Sequence, residues 1–326
     1  MQGSQTAAGS RVAAIDVARG AALIGMAFYH LSWDFAYFRL APADFPAIPP
    51  MRLVSHAVAG AFLMLAGVSL AMAHRGGLRR AAFLRRLAMV GGAAALLTLA
   101  TYFYAPRQTI FFGILHCIAV ASLLAGPLLR LPAWVGLAAG AAVVAAPALI
   151  AAPAFNAPAL IWIGLGTVAP ETLDWRPLAP WSGLVFLGLA LTRLNFARLA
   201  ASPLWRWRPL ARPACALAFA GRHSLAIYLI HQPILFAILF AATDLTGFEA
   251  ARQREEFTAV CQRECVAASA APEFCAPACR CVLEGLRQAG LGRALAREAL
   301  DDTERQAYSR VVRACAAPKR DGASGG

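Results

Sequence analysis

The chain has 326 residues, of which 60% are hydrophobic and 14% are charged, and its formal net charge is +13. This composition excludes an ordinary soluble domain. The basic excess does not indicate a nucleic-acid partner, because residues 1–248 hold 18 Arg against 6 Asp and Glu and these arginines crowd between apolar segments, whereas the rest is nearly balanced.

Seven apolar segments approach or exceed the length of about 20 residues that crosses a bilayer. They cover residues 12–31, 53–73, 84–104, 109–129, 133–152, 178–195 and 222–243. A shorter apolar stretch, 158–168, is predicted to be re-entrant or interfacial. Arginine-rich loops follow the second segment and precede the seventh, and basic loops remain cytoplasmic. The pattern predicts an all-α polytopic membrane bundle in a bacterial inner membrane, with a cytoplasmic N-terminus and a periplasmic C-terminal tail.

Four regions are expected along the chain. Residues 1–10 form a flexible lead, 11–248 the membrane domain, 249–316 a Cys-rich helical tail and 317–326 a disordered end.

The first segment carries ionisable side chains on one face. At about 100° per residue, Asp16, Arg19, His30 and Asp34 lie within about 60° of one another, and Arg19 and His30 are about 16 Å apart along the axis. Ionisable groups at this depth face a protein interior or a wet cavity. Arg19 either meets an anionic group from the cytoplasm or pairs structurally with Asp16. Asp34 either orients His30 from position i+4 or caps the following loop.

Further histidines lie in or beside the other segments, and His116 is the second candidate for catalysis. A neutral imidazole suits general base work near physiological pH, and the alternative is a hydrogen bond between helices. Asp174 is a second outer carboxylate or a turn residue. The additional pocket candidates are His56, Asp174, Ser224, Tyr228 and His231.

Six of the eight cysteines lie in the tail: Cys261, Cys265, Cys275, Cys279, Cys281 and Cys315. An even set in an oxidising compartment predicts disulfides, with structural zinc or a redox-active set as the alternatives. The first four have spacing that suits a helical hairpin turning near Pro272. Pairing Cys261 with Cys279 and Cys265 with Cys275 would then leave Cys281 for Cys315.

Several stretches together resemble a known group of enzymes. RVAAIDVARGAALIGMAFYH resembles the first span of the integral-membrane acyltransferases, whose Arg-x10-His marker is matched by Arg19 and His30. The stretches at 62–72, 111–119, 174–188 and 221–233 are similar to the heparan-alpha-glucosaminide N-acetyltransferase catalytic-domain family and its bacterial relatives. Together they cover residues 11–243.

The resemblance implies a membrane-bound acyltransferase. An acyl group, acetyl by analogy, would pass from cytoplasmic acyl-CoA to an extracytoplasmic acceptor such as a sugar. His30 would be the general base or acyl-carrying residue, and Arg19, with Asp16 beside it, would line the donor path. In the lysosomal enzyme the proposed active histidine lies in the outer loop between the first two spans, but this chain has no histidine between His30 and His56.

No metal is expected, and the partners are the bilayer and a small-molecule or glycan acceptor. Two other functions fit the same residues. One is a transporter or flippase that uses the polar face of the first segment, and the other is a membrane scaffold whose tail binds a partner.

Overall fold

The structure is a computed structural model that describes residues 12–268, 271–291 and 301–316. The predicted lead at 1–10 and the predicted disordered end at 317–326 lie outside the described residues. Within the described ranges the regular elements are all helical, without any strand, which confirms the all-α prediction.

The chain forms two compact units, residues 1–237 and 238–326, which divide within the tenth helix. The helices up to that point are α1 (Ala13–Tyr37), α2 (Pro49–Ala73), α3 (Arg80–Tyr104), α4 (Ile114–Leu128), α5 (Ala133–Ile150), α6 (Leu178–Leu194), α7 (Phe196–Ala201), α8 (Pro203–Arg206), α9 (Arg212–Arg222) and α10 (Ser224–Leu245). The Cys-rich region contains α11 (Phe248–Ala267), α12 (Pro272–Gln288) and α13 (Asp302–Ala316).

Four helices of the described chain, α2, α3, α5 and α10, are long and apolar enough to cross a membrane. At most 33% of the residues in the most apolar stretch of each are buried, so their apolar side chains are left for lipid. The protein is therefore an integral membrane protein. Helices α4 and α6 are apolar but have only 15 and 17 residues. Seven crossings remain a prediction.

Three regions of the structure refine the sequence-based prediction. Helix α4 begins at Ile114 rather than 109, because Gly113 is extended and its N–H donates to Nδ1 of His116 within the first turn. Residues 196–214, which lie between the sixth and seventh predicted segments, contain two short helices and the start of α9. The stretch 158–168 holds one 3₁₀ turn, Ile161–Ile163, and is otherwise irregular.

Glycines let the backbones of α2 and α6 meet. A Cβ atom on Gly67 would lie 2.0 Å from the carbonyl oxygen of Val185, and one on Gly188 would lie 2.3 Å from that of Met64. Leu63 and the neighbouring leucine and valine side chains of both helices fill the core on either side. Small residues at such crossings are typical of membrane helix pairs.

The same device joins α9 to α1. A Cβ atom on Gly221 would lie 1.8 Å from the carbonyl oxygen of Asp16, and one on Gly20 would lie 2.2 Å from that of Leu217. This contact buries the start of the polar face of α1, around Asp16, against another helix.

The Cys-rich region has its own core. Its disulfides are Cys261–Cys279, Cys265–Cys275 and Cys281–Cys315, with Cα atoms 5.9, 5.7 and 5.7 Å apart. The first two join α11 to α12, and the third joins α12 to α13. The buried core of this region consists of Val282, Leu286 and Leu291. The disulfide interpretation and its pairing are confirmed.

Candidate active site

The polar face of α1 contacts neighbouring helices along its length. Near its start, Arg19 forms an ion pair with Asp16 at 3.5 Å and donates to the hydroxyl of Ser69 on α2. The predicted i, i+3 ion pair is therefore present. Asp16 is 7% exposed, so the pair lies at the edge of the protein interior.

A second arginine lies at the same end of the bundle. Arg86 of α3 donates to the carbonyl oxygen of Ala66 on α2 at 3.3 Å and interacts electrostatically with Arg19. It lines a cavity of about 10 Å³ together with Ser122 of α4, which is room for about one water molecule. In the sequence, Arg86 is only one of the arginines that follow the second apolar segment.

At the other end of α1, His30 meets His231 of α10. The centroids of the two imidazoles are 4.9 Å apart and their planes are inclined by 68°. Within the described residues neither ring nitrogen of His30 has a hydrogen-bond partner. Two histidines that are 201 positions apart in the chain thus form one pair.

The backbone fixes the hydrogen-bonding state of His231. Its Nδ1 lies 2.7 Å from the carbonyl oxygen of Tyr228, so Nδ1 carries the hydrogen. Its Nε2 atom is buried and has no partner among the described residues. In the neutral ring this atom holds a lone pair. The Tyr228 ring centroid lies 5.8 Å from that of His231. The Ser224 hydroxyl has no hydrogen bond within the described chain.

Asp34 lies one turn beyond His30, in a helix that continues to Tyr37. Its Oδ1 accepts a hydrogen bond of 2.6 Å from Nε2 of Gln232, the residue after His231. Asp34 is 3% exposed. Its Oδ2 atom and the Oε1 atom of Gln232 are buried without partners in the described part of the chain. Asp34 therefore joins α1 to α10, whereas no hydrogen bond links it to His30.

Arg176, in the segment that precedes α6, interacts electrostatically with His30. Its guanidinium donates to the hydroxyl of Ser55 on α2 and to the carbonyl oxygen of Trp175, the latter at 2.7 Å. It also lies 4.9 Å from the centroid of the Trp181 ring. Neither Arg176 nor Gln232 was selected from the sequence. Each lies close to a residue that was selected: Arg176 is two positions after Asp174 in DWRPLAPW, and Gln232 directly follows His231 in LIHQP.

His56 is exposed and stacks on Trp181, with ring centroids 5.5 Å apart and planes 12° from parallel. Its Nδ1 donates to the carbonyl oxygen of Arg52 at 2.6 Å. His56 and Arg176 therefore both contact the Trp181 ring.

Asp174 and His116 hold the start of α4. Oδ2 of Asp174 accepts a hydrogen bond of 2.7 Å from the N–H of Ile114. Burial raises the pKa of Asp174, and the charge of Arg176 and the Ile114 N–H partly oppose this rise. Nδ1 of His116 accepts from Gly113, and its Nε2 lies 3.0 Å from the hydroxyl of Thr98. Both ring nitrogens of His116 are thus occupied, one by Thr98 of α3 and the other by Gly113 of the connection between α3 and α4.

We expect Asp174→Ala to destabilise the protein, because the first turn of α4 loses its side-chain acceptor. Loss of a cap of this kind costs about 0.5–2 kcal/mol. Asp174→Asn retains an acceptor oxygen and should lie close to the wild type. Thermal unfolding in detergent measures the effect. Glu171→Ala, which removes an exposed carboxylate from the same segment, is the matched control. Equal stability of Asp174→Ala and Glu171→Ala would contradict the capping role.

A histidine pair and a buried carboxylate lie between α1 and α10, in a chain with four membrane-length helices. These features define a polytopic membrane protein with a polar site. Within the described residues no group of three or more His, Cys, Asp or Glu side chains is arranged to hold a metal ion. The family model for heparan-alpha-glucosaminide N-acetyltransferase, catalytic, matches residues 11–233. The chain belongs to this family and is a transmembrane acyltransferase. Comparisons with curated proteins and with solved structures gave no match.

Proposed function

We propose that this protein transfers an acetyl group from acetyl-CoA to an acceptor on the extracytoplasmic side, and that the acceptor is a sugar carrying an amine or hydroxyl. The observation that carries the proposal is the pairing of His30 with His231 at one end of α1, within the part of the chain that the family model covers.

The reaction needs a group that takes a proton. The acceptor nitrogen or oxygen attacks the thioester carbonyl carbon and loses its proton to a base. The carbon–sulfur bond then breaks, and the CoA sulfur leaves and is protonated. A neutral imidazole can take up and return this proton. We assign the task to His30, which matches the histidine of the Arg-x10-His marker of the integral-membrane acyltransferases.

Arg176 supplies the positive charge for this reaction. The tetrahedral intermediate carries a negative oxygen, and a fixed cation in a site sheltered from water stabilises it strongly. Ser55 and Trp181 hold the guanidinium in position. This fixed geometry avoids reorganisation during the reaction.

Two buried oxygen atoms support an acceptor that is rich in N–H and O–H groups. Oδ2 of Asp34 and Oε1 of Gln232 can each accept a hydrogen bond, but neither has a partner in the described chain. Buried polar atoms without partners are rare in folded proteins. Donor groups of a bound amino sugar or alcohol would satisfy both.

The donor would enter from the opposite end of α1. Arg19 and Arg86 lie there, near the arginine-rich connection of α2 and α3. Guanidinium groups bind phosphate oxygens well. Because basic connections remain cytoplasmic, this end would face the cytoplasm and the His30 end would face the periplasm.

Acetyl transfer by the purified protein tests the function. The protein in detergent is incubated with radiolabelled acetyl-CoA and a panel of amino sugars and glycosides, and the products are separated by chromatography. We expect a labelled acetylated sugar and free CoA in equal amounts. Binding of the sugar without turnover would favour a transporter, and release of free CoA without an acetylated product would also contradict the proposal.

Thiol labelling tests the orientation. Cys215 is exposed at the proposed cytoplasmic side, and the six tail cysteines are oxidised. In intact spheroplasts we expect a membrane-impermeant maleimide to label the tail only after an impermeant reductant is added. Cys215 should react only after permeabilisation, and Cys215→Ser identifies its signal. Labelling of Cys215 in intact spheroplasts would reverse the proposed orientation.

A further inference from the structure

We propose that His231 is the proton partner of His30, so that the two imidazoles act as one proton-transfer pair. This inference rests on the proposed function and adds a second residue to it. His231 acts through His30 and is therefore a positioning and proton-accepting residue.

His231 is held in one tautomer by the backbone. Its Nδ1–H is directed at the Tyr228 carbonyl oxygen at 2.7 Å, which leaves Nε2 as the basic nitrogen. A histidine whose second nitrogen is fixed by a backbone carbonyl is a common arrangement for proton transfer, because the ring is held in one state and one orientation.

The Nε2 atom of His231 is available to accept a proton. Nε2 of His231 is buried, and no donor of the described chain reaches it. The nearest ring is that of His30, with centroids 4.9 Å apart. A neutral His30 has one N–H to donate, and within the described residues it has no other acceptor. A small movement of either ring would join this N–H to Nε2 of His231.

One hydrogen bond links α10 to α1 beside the pair. The bond from Gln232 to Asp34 joins the two helices one residue past His231 and one turn past His30. This bond restrains the two helices on one side of the pair, and a restrained geometry favours proton transfer.

The proton path balances as follows. His30 takes the proton of the attacking acceptor group at one nitrogen and gives the proton of its other nitrogen to Nε2 of His231. The positive charge then lies on His231, away from the forming bond. When the CoA sulfur leaves, the two transfers reverse and the proton passes from His30 to the thiolate. Both histidines end neutral.

The test compares histidine variants of the full-length protein in the acetyl-transfer assay. We expect His231→Ala to lower kcat by about 10²–10⁴-fold, while the KM for acetyl-CoA changes by less than a factor of about three. Added imidazole should raise the kcat of His231→Ala in proportion to its concentration. His231→Gln offers a hydrogen-bond acceptor but cannot take a proton, so it should remain as slow as His231→Ala.

His223→Ala is the matched control. His223 bonds the carbonyl oxygen of Phe219 through its Nδ1 at 2.9 Å, just as His231 bonds Tyr228, but it is exposed. This variant should retain the wild-type kcat. If His231→Ala does not fold, as judged by gel filtration in detergent, His231→Gln with its expected loss of kcat carries the test.

Two results would overturn the proposal. One is a His231→Ala or His231→Gln variant with kcat within a factor of about three of the wild type. The other is a slow His231→Ala that imidazole does not rescue. Absence of acetyl transfer by the wild-type protein would instead overturn the proposed function.

Discussion

Replacing His30 with alanine should abolish acetyl transfer by a protein that remains folded. His30 faces His231, and Arg176 interacts electrostatically with His30. Removal of a positioned base costs about 10²–10⁴-fold in rate. We therefore expect kcat to fall by at least a hundredfold in the assay with labelled acetyl-CoA, with the thermal unfolding temperature close to that of the wild type.

Phe28→Ala is the control for His30→Ala. Phe28 lies on the same helix and is 53% exposed, so its removal changes α1 without reaching the histidine pair. It should retain the wild-type rate. A His30→Ala variant as active as Phe28→Ala would place the reaction elsewhere in the molecule.

The second large effect is on stability, at the crossing of α2 and α6. A Cβ atom on Gly67 would lie 2.0 Å from the carbonyl oxygen of Val185, which belongs to rigid backbone. Gly67→Ala therefore forces the helices apart. Overpacking of this kind costs about 1–3 kcal/mol and sometimes more, and we expect a value of about 3 kcal/mol or above. A lower apparent Tm in detergent is the readout.

Gly92→Ala makes the comparison sharp because its expected sign is opposite. Gly92 lies within α3, and a Cβ atom there would meet nothing within 4 Å. Alanine is favoured over glycine in a helix by about 1 kcal/mol, so this variant should be as stable as the wild type or more stable. A Gly67→Ala variant as stable as the wild type would contradict the close contact of α2 and α6.

The polar face of α1 could be predicted because helical periodicity is a local property. Its spacing placed Arg19 and His30 on one side, and the structure gives these side chains partners on α2 and α10. The same locality explains the tail, where the intervals between cysteines restrict the pairings that a helical hairpin allows.

The partners of that face could not be predicted, because they depend on how distant helices pack. Gln232 bonds Asp34 from 198 positions away, and Arg176 reaches Ser55 from 121 positions away. Nothing in the spacing of either segment specifies such a contact. From the sequence, an Asp34 that orients His30 is one of two alternatives. In the structure, Asp34 is hydrogen-bonded to Gln232 instead.

The role of His116 shows a further limit of the sequence. The sequence makes His116 a second candidate for catalysis, yet its ring nitrogens meet Thr98 of α3 and Gly113 before α4. The capping arrangement at Gly113 determines this, and glycine carries no side-chain signal for it. We therefore propose that His116 positions α4 and that the chemistry lies with His30 and His231.

Affinity labelling with bromoacetyl-CoA tests the central claim most directly. This electrophilic donor analogue alkylates the nucleophile nearest to the acyl carbon, and peptide mass spectrometry locates the modification. A Cys215→Ser protein removes the exposed thiol that would otherwise react. We predict modification of His30 or His231, and protection when excess acetyl-CoA is present. Protected modification at any other residue, with both histidines unmodified, would contradict the account.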